Sequence, residues 1–176
     1  MIKLIDLLEN KILVPRRSPE ERSKNYLIST QKKIQQYTKD GGKGDLDLSG
    51  TPITSLPQDL KVGGSLDLGN TPITTLPPGL KVVGYLDLRN TPITSLPQGL
   101  TVGGYIYLMN TKITTLSQGL KVGGDLYLSY TPITALPKDL TVDDDLYLRD
   151  TPISKKYSEE QIRQMVPGVK GSIYLK

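Results

Sequence analysis

From residue 44 to residue 154 the apolar positions of the chain recur every 20 residues. The triplet Leu46-Asp47-Leu48 is answered in register by Leu66-Asp67-Leu68, Leu86-Asp87-Leu88, Ile106-Tyr107-Leu108, Leu126-Tyr127-Leu128 and Leu146-Tyr147-Leu148. Each triplet is followed by Thr (Thr51, Thr71, Thr91, Thr111, Thr131, Thr151), by Ile two residues later (Ile53 to Ile153), and then by two Leu columns, Leu56 to Leu136 and Leu60 to Leu140. Val62, Val82, Val102, Val122 and Val142 close the units before a turn that is Gly-rich in all but the last. The alternation within the triplet predicts a short strand with its aliphatic residues inward and its central Asp or Tyr outward. Such a unit cannot bury its apolar residues alone, so copies must stack into a solenoid with columns of Leu, Ile and Val inside. The Pro- and Thr-rich remainder of each coil reads as extended or polyproline-like backbone rather than helix.

The segments outside the repeat read as caps. Residues 2–13 predict a helix that places Leu4, Ile5, Leu8 and Ile12 inward. Ser18-Pro19-Glu20-Glu21 is a capping box that opens a second helix, running to about Tyr37, whose Tyr26, Leu27 and Ile34 pack on the first coil. At the other end Ser158-Glu159-Glu160-Gln161 opens a short helix through Met165, and Val169 to Leu175 repeats the turn-and-strand pattern as a seventh strand. The predicted organisation is an N-terminal helical cap over 1–43, six repeats over 44–154, and a cap helix with a final strand over 155–176.

The string Leu66-x-Leu68-x-x-Thr71-x-Ile73-x-x-Leu76-Pro77-x-x-Leu80-x-Val82 resembles the short leucine-rich repeat of bacteria, found in secreted effectors of Gram-negative pathogens. It bears a looser likeness to repeats of uncharacterised phage-encoded proteins. The resemblance implies a leucine-rich-repeat-like solenoid, a parallel sheet of about seven strands on a concave face, and binding of a protein partner there. A phage or bacterial factor that blocks a host protein is the role it implies. Thr replaces the Asn usual in that family, so a ladder of hydroxyls bonded to neighbouring coils' backbone is expected. Some effectors carry a ubiquitin-ligase domain with a Cys nucleophile; this chain has no Cys.

Composition narrows the chemistry. The chain also lacks His, Trp and Phe, which removes imidazole bases, zinc fingers, haem ligation and disulfides. No nucleophile stands beside a base, and the reading is of a non-enzymatic protein without cofactor or metal. The net charge of +4 is uneven: residues 1–43 hold ten Lys/Arg against five Asp/Glu, and 44–176 hold twelve against thirteen. Asp6, Glu9, Asn10 and Lys11 interrupt the apolar opening before a signal peptide develops. A cytoplasmic protein, of the producing or the host cell, is expected, with export that needs no signal peptide left open.

Two surfaces can carry function. The outward strand positions are acidic in one half and aromatic in the other, and Tyr is enriched where interfaces concentrate their energy. This predicts a protein-binding face of Tyr85, Tyr105, Tyr107, Tyr127 and Tyr147, with Asp67, Asp87 and Arg89 setting orientation at its rim. Strand propensity and same-face stacking are the plainer account of the tyrosines. Asp47, Asp67 and Asp87 fall on successive strands, where they repel, attract a basic partner or gather a cation. Asp143-Asp144-Asp145 lacks the spacing of a calcium loop. The alternatives are nucleic-acid binding through Arg16, Arg17, Arg22, Lys24, Lys32 and Lys33, or a structural subunit that assembles edge to edge. The partner and the oligomeric state stay open at this point.

Overall fold

The structure, a computed structural model, describes residues 18–176. The helix expected over 2–13, with Arg16 and Arg17, lies outside them. Helix α1 (Pro19–Lys39) begins at the anticipated capping box: the Glu21 N–H donates to Ser18 Oγ at 3.1 Å, and the Ser18 N–H donates to Glu21 Oε2 at 2.9 Å. It runs two residues past Tyr37 and ends where Gly41 and Gly42 take φ of 80° and 66°. Its contact with the solenoid is narrower than the sequence suggests. Thr30 and Ile34 are buried and Tyr37 packs beside them, whereas Tyr26 is exposed.

Seven two-residue strands form a parallel sheet in the order of the repeats: β1 (Leu46–Asp47), β3 (Leu66–Asp67), β5 (Leu86–Asp87), β7 (Ile106–Tyr107), β9 (Leu126–Tyr127), β11 (Leu146–Tyr147) and β12 (Ile173–Tyr174). The register is that of the repeat, so Asp67 pairs with Asp87 and Tyr107 with Tyr127. The inward residues of each triplet are fully buried, and Ile73, Ile93, Ile113 and Ile133 stack behind them at 0% exposure. The parallel solenoid with its helical caps is therefore the architecture of this protein.

The sequence reading contained one sheet, and the structure has two. The Val column ends a second set of strands, β2 (Lys61–Val62), β4 (Lys81–Val82), β6 (Thr101–Val102), β8 (Lys121–Val122) and β10 (Thr141–Val142), which pair in parallel on the far side of the core. An unanticipated helix, α2 (Pro152–Lys156), follows β11 and precedes the expected α3 (Glu159–Met165). The inward Leu of the earlier coils is Lys156 here, so the extended path loses its anchor. Thr151 instead accepts the Ser154 N–H at 3.2 Å and starts a helix. Among the described residues no helix is long and apolar enough to cross a membrane.

The second turn glycine is required by close approach of coils, not by a left-handed backbone. A Cβ at Gly64 would lie 2.6 Å from the Gly44 carbonyl carbon, at Gly84 2.8 Å from the Ser65 nitrogen, and at Gly104 3.1 Å from the Gly84 carbonyl carbon. These contacts are at or inside van der Waals limits, and the coils are joined there by Gly84 N–H to Gly64 C=O at 2.8 Å and Gly104 N–H to Gly84 C=O at 2.9 Å. Where Asp144 takes the position, the equivalent bond to Gly124 stretches to 3.4 Å.

The Thr column also differs from expectation. Each hydroxyl donates within its own coil, to the carbonyl three residues back: Thr51 to Leu48 at 2.6 Å, Thr91 to Leu88 at 2.7 Å, and likewise through Thr151 to Leu148. The hydroxyl closes the turn after the strand on itself, and all six Thr are buried there. A ladder between coils does exist one residue earlier: Asn90 Nδ2 donates to Asn70 Oδ1, and Asn110 Nδ2 to Asn90 Oδ1, each at 3.0 Å.

Candidate functional site

Of the eight residues expected to form the binding face, Asp67, Asp87, Tyr107, Tyr127 and Tyr147 lie on strands of the seven-stranded sheet and Tyr85, Arg89 and Tyr105 directly flank them, but the face is more self-contained than a column of free side chains. At its acidic end each central Asp folds back on its own strand. Asp47 Oδ1 accepts the Ser49 N–H at 2.9 Å and hydroxyl at 2.7 Å, Asp67 Oδ1 accepts the Gly69 N–H at 2.9 Å, and Asp87 Oδ1 accepts the Arg89 N–H at 2.9 Å. The Ser49 hydroxyl and N–H hold the Asp47 carboxyl below its ordinary value. Partial burial pushes the Asp67 carboxyl up, and the charges of Asp87 and Asp47 on either side add to the rise.

Asp87 and Arg89 form a clamp at the junction of the two halves. The guanidinium meets the carboxylate through Nε, 2.8 Å from Oδ2 and 3.0 Å from Oδ1, and through a second contact to Oδ2 from a terminal nitrogen. Its carbon stands 5.2 Å from the centre of the Tyr107 ring. Asp87 is left 2% exposed. Neither residue is a free rim charge: Arg89 neutralises a buried carboxylate and covers the end of the aromatic half.

Beyond the clamp the rings of Tyr107, Tyr127, Tyr147 and Tyr174 form one stack. Successive centroids are 4.8, 4.4 and 4.7 Å apart, with interplanar angles of 17°, 11° and 14°. The spacing is that of adjacent strands, about 4.8 Å, so the sheet register itself imposes the stack. Tyr85 and Tyr105 meet Tyr107 edge to face, at 6.1 and 6.3 Å. The inner rings of the stack, Tyr127 and Tyr147, are half-buried by their neighbours, while Tyr85 and Tyr105 are 38% and 42% exposed. Burial and a 2.8 Å hydrogen bond donated to Asp125 Oδ2 push the Tyr127 phenol far above its ordinary value. Burial, followed by the charges of Asp67 and Asp45, also raises Tyr85.

The column before the strand has a structural duty invisible in the sequence. Asp45 Oδ1 accepts the Ser65 N–H at 2.7 Å, Asp125 Oδ1 the Asp145 N–H at 2.9 Å, and Asp145 Oδ1 the Ser172 N–H at 2.7 Å. Each takes a main-chain donor of the next coil that the strand ladder leaves without a carbonyl. Among the described residues no group of three or more carboxylates is disposed to hold a metal ion.

One residue of this region escaped the sequence reading. The position before each Thr has positive φ, from Gly50 through Asn70, Asn90 and Asn110, all between 57° and 62°. Tyr130 holds φ of 61° in the same column, where Asn is tolerated and a bulky ring is strained. Its ring is 49% exposed and lies 5.9 Å from the Arg149 guanidinium carbon. An aromatic in a column of Gly and Asn was the available signal.

The residues of the alternative surface are scattered along α1. Lys24 and Lys32 are exposed, but Lys33 Nζ donates to the Asp47 carbonyl and so is tied to the sheet edge. Arg22 is exposed on the first turns of the helix.

The raised Asp67 carboxyl gives a direct prediction. Between its ordinary value of 3.8 and its raised folded value the native state binds more protons than the unfolded one, so stability falls as pH rises through that window and stays lower above it. Asp67→Asn keeps an oxygen for the Gly69 N–H and removes the charge. Its melting temperature at pH 7 should exceed wild type by about 1–3 °C, given the usual cost of like charges opposite one another. Added salt should narrow the gap, and a variant that melts lower than wild type would show that the charge serves the fold. Compared with known proteins, the chain matches no family model, no curated protein and no solved structure.

Proposed function

We propose that this protein is a non-enzymatic binding module that docks a protein partner on the face of its seven-stranded sheet. The observation that carries the reading is the aromatic half of that face: four stacked tyrosines running from β7 to β12, with the exposed rings of Tyr85 and Tyr105 against Tyr107 at one end. The buried columns are complete without any of these rings. Tyrosine offers large contact area, few rotatable bonds and a hydroxyl, which suits the centre of an interface. The clamp of Asp87 and Arg89 then divides an aromatic contact area from an acidic one made of Asp45, Asp47 and Asp67. The short bacterial leucine-rich repeat that the coils resemble would place such a module in a bacterial or phage product acting on a host protein.

The stack shapes the test. Truncating Tyr127 or Tyr147 breaks two stacked contacts of the fold, whereas Tyr85→Ala and Tyr105→Ala each lose one edge contact with Tyr107 from a more exposed ring and are the cleaner probes. A partner captured from bacterial lysate by the immobilised wild type should bind the double variant at least about tenfold more weakly. The circular dichroism spectrum of the variant should match wild type. Unchanged affinity, or binding abolished by Lys24→Ala and Lys32→Ala with a steep salt dependence, would move the working surface to α1.

A further inference from the structure

The hydrogen-bond ladder of the seven-stranded sheet ends at two edges, β1 and β12, and Lys33 covers a carbonyl only at the first. In each of its strands β1, β3, β5, β7, β9 and β11 the two aliphatic residues of the triplet donate their N–H to the next strand, as Leu46 and Leu48 do to the Ser65 and Asp67 carbonyls and Leu146 and Leu148 do to those of Ser172 and Tyr174. The matching donors of β12 are the N–H groups of Ile173 and Leu175. Among the described residues neither has an acceptor. Because N–H and C=O of one strand residue point to the same side, both carbonyls face outward with them.

The aromatic stack is unfinished at the same place. Tyr174 stacks on Tyr147 at 4.7 Å on one side of its ring, and it is 43% exposed. By strand alternation Ser172, Tyr174 and Lys176 share the outer face, and Lys176 is exposed. Asp145 lies beside Ser172, whose N–H it holds.

The geometry points to a second copy of this chain as the occupant of this edge, with β12 of each copy paired antiparallel about a two-fold axis through Tyr174. In that register Ile173 stands opposite Leu175 of the second copy, and each pair exchanges two hydrogen bonds, so all four open donors find carbonyls. The two Tyr174 side chains face one another at the closer, non-hydrogen-bonded site and join the two stacks into one. Lys176 stands across from Ser172 of the second copy and meets the carboxylate of Asp145 there, once on each side of the axis. Head-to-tail growth is disfavoured, because it would require β1 carbonyls as acceptors and that of Asp47 is taken by Lys33. The edge is self-complementary, which is the condition for a closed dimer rather than a filament. This inference does not depend on what binds the tyrosines elsewhere on the face.

A chain without cysteine makes the test direct. Sedimentation equilibrium should show a monomer–dimer equilibrium for wild type at concentrations up to about 0.5 mM. Leu175→Pro deletes one outward N–H and leaves the Leu148 to Tyr174 bond intact; it should raise the dissociation constant at least about tenfold with an unchanged circular dichroism spectrum. Tyr174→Cys should cross-link to its own copy on mild oxidation, whereas Ser172→Cys, which opposes Lys176, should not. A monomer at every concentration, a dimer indifferent to Leu175→Pro, equal cross-linking of the two cysteines, or open-ended polymers would each overturn the assignment.

Discussion

Ile93→Ala should lower the stability of the whole solenoid by about 2–5 kcal/mol, with a fall in melting temperature of about 10 °C. Ile93 is fully buried in the middle of a column running from Ile53 to Ile153, all of it part of one continuous core. The backbone cannot close over the void. Strands on both sides of the core fix the spacing of neighbouring coils, and the Lys112 N–H is bonded to the Ile93 carbonyl at 3.1 Å. A repeat protein also couples stability from neighbour to neighbour, so a defect in the middle weakens communication between the two halves. Chemical denaturation followed by circular dichroism should therefore show a lower midpoint together with a shallower transition. A loss below about 1 kcal/mol would mean that the coils slide to fill the gap and that the columns are less rigid than their burial indicates.

What could be read from the sequence follows from which interactions repeat. The Leu-x-Leu triplets return in the same register six times, and one strand per coil with its columns is the only packing that buries them all. The second sheet is built from pairs such as Lys61–Val62 and Thr101–Val102, in which one residue is exposed and the neighbours are Gly or Leu. The Val column was legible as inward, but two residues carry no alternation from which a strand could be deduced. Helix α2 was hidden because Thr151-Pro152-Ile153 repeats the opening of four of the five earlier coils, and only Ser154 in place of Thr and the loss of the inward Leu at Lys156 set its first turn apart.

The candidate site was legible in its columns and not in its contacts. That Asp87 and Tyr107 share a face follows from register, whereas the burial of Asp87 depends on the rotamer that Arg89 adopts across it. Residues two apart on a strand share a face, so the pairing of Asp87 with Arg89 was available to sequence reasoning. The duty of Asp45, Asp125 and Asp145 was not, since it arises from a donor that a parallel ladder leaves open between coils. Tyr26 was expected to pack and instead lines, half-exposed, an open groove between α1 and the Asp47–Thr51 segment of the first coil, while Thr30 and Ile34 make the buried contact.

The clamp gives the second large effect, because its two residues are not equivalent. Removing Arg89 takes both the counter-charge and the cover from the Asp87 carboxylate, which is 2% exposed beneath it, and breaking such a buried pair on one side commonly costs 3–5 kcal/mol. The Arg89 side chain is itself 49% exposed, and water reaching the site reduces the loss, so Arg89→Ala should cost about 2–3 kcal/mol. Asp87→Asn in the same chain removes the stranded charge and keeps an oxygen for the N–H of residue 89, so the double variant should recover at least about 1 kcal/mol of that loss. The part not recovered is the net worth of the Asp87–Arg89 pair together with the guanidinium's contact with the Tyr107 ring, both of which are absent from the double variant. Urea denaturation of wild type, both single variants and the double variant closes the cycle. If the single and double variants were equally unstable, the carboxylate would be as well served by water as by Arg89, and the clamp would be a ring contact alone.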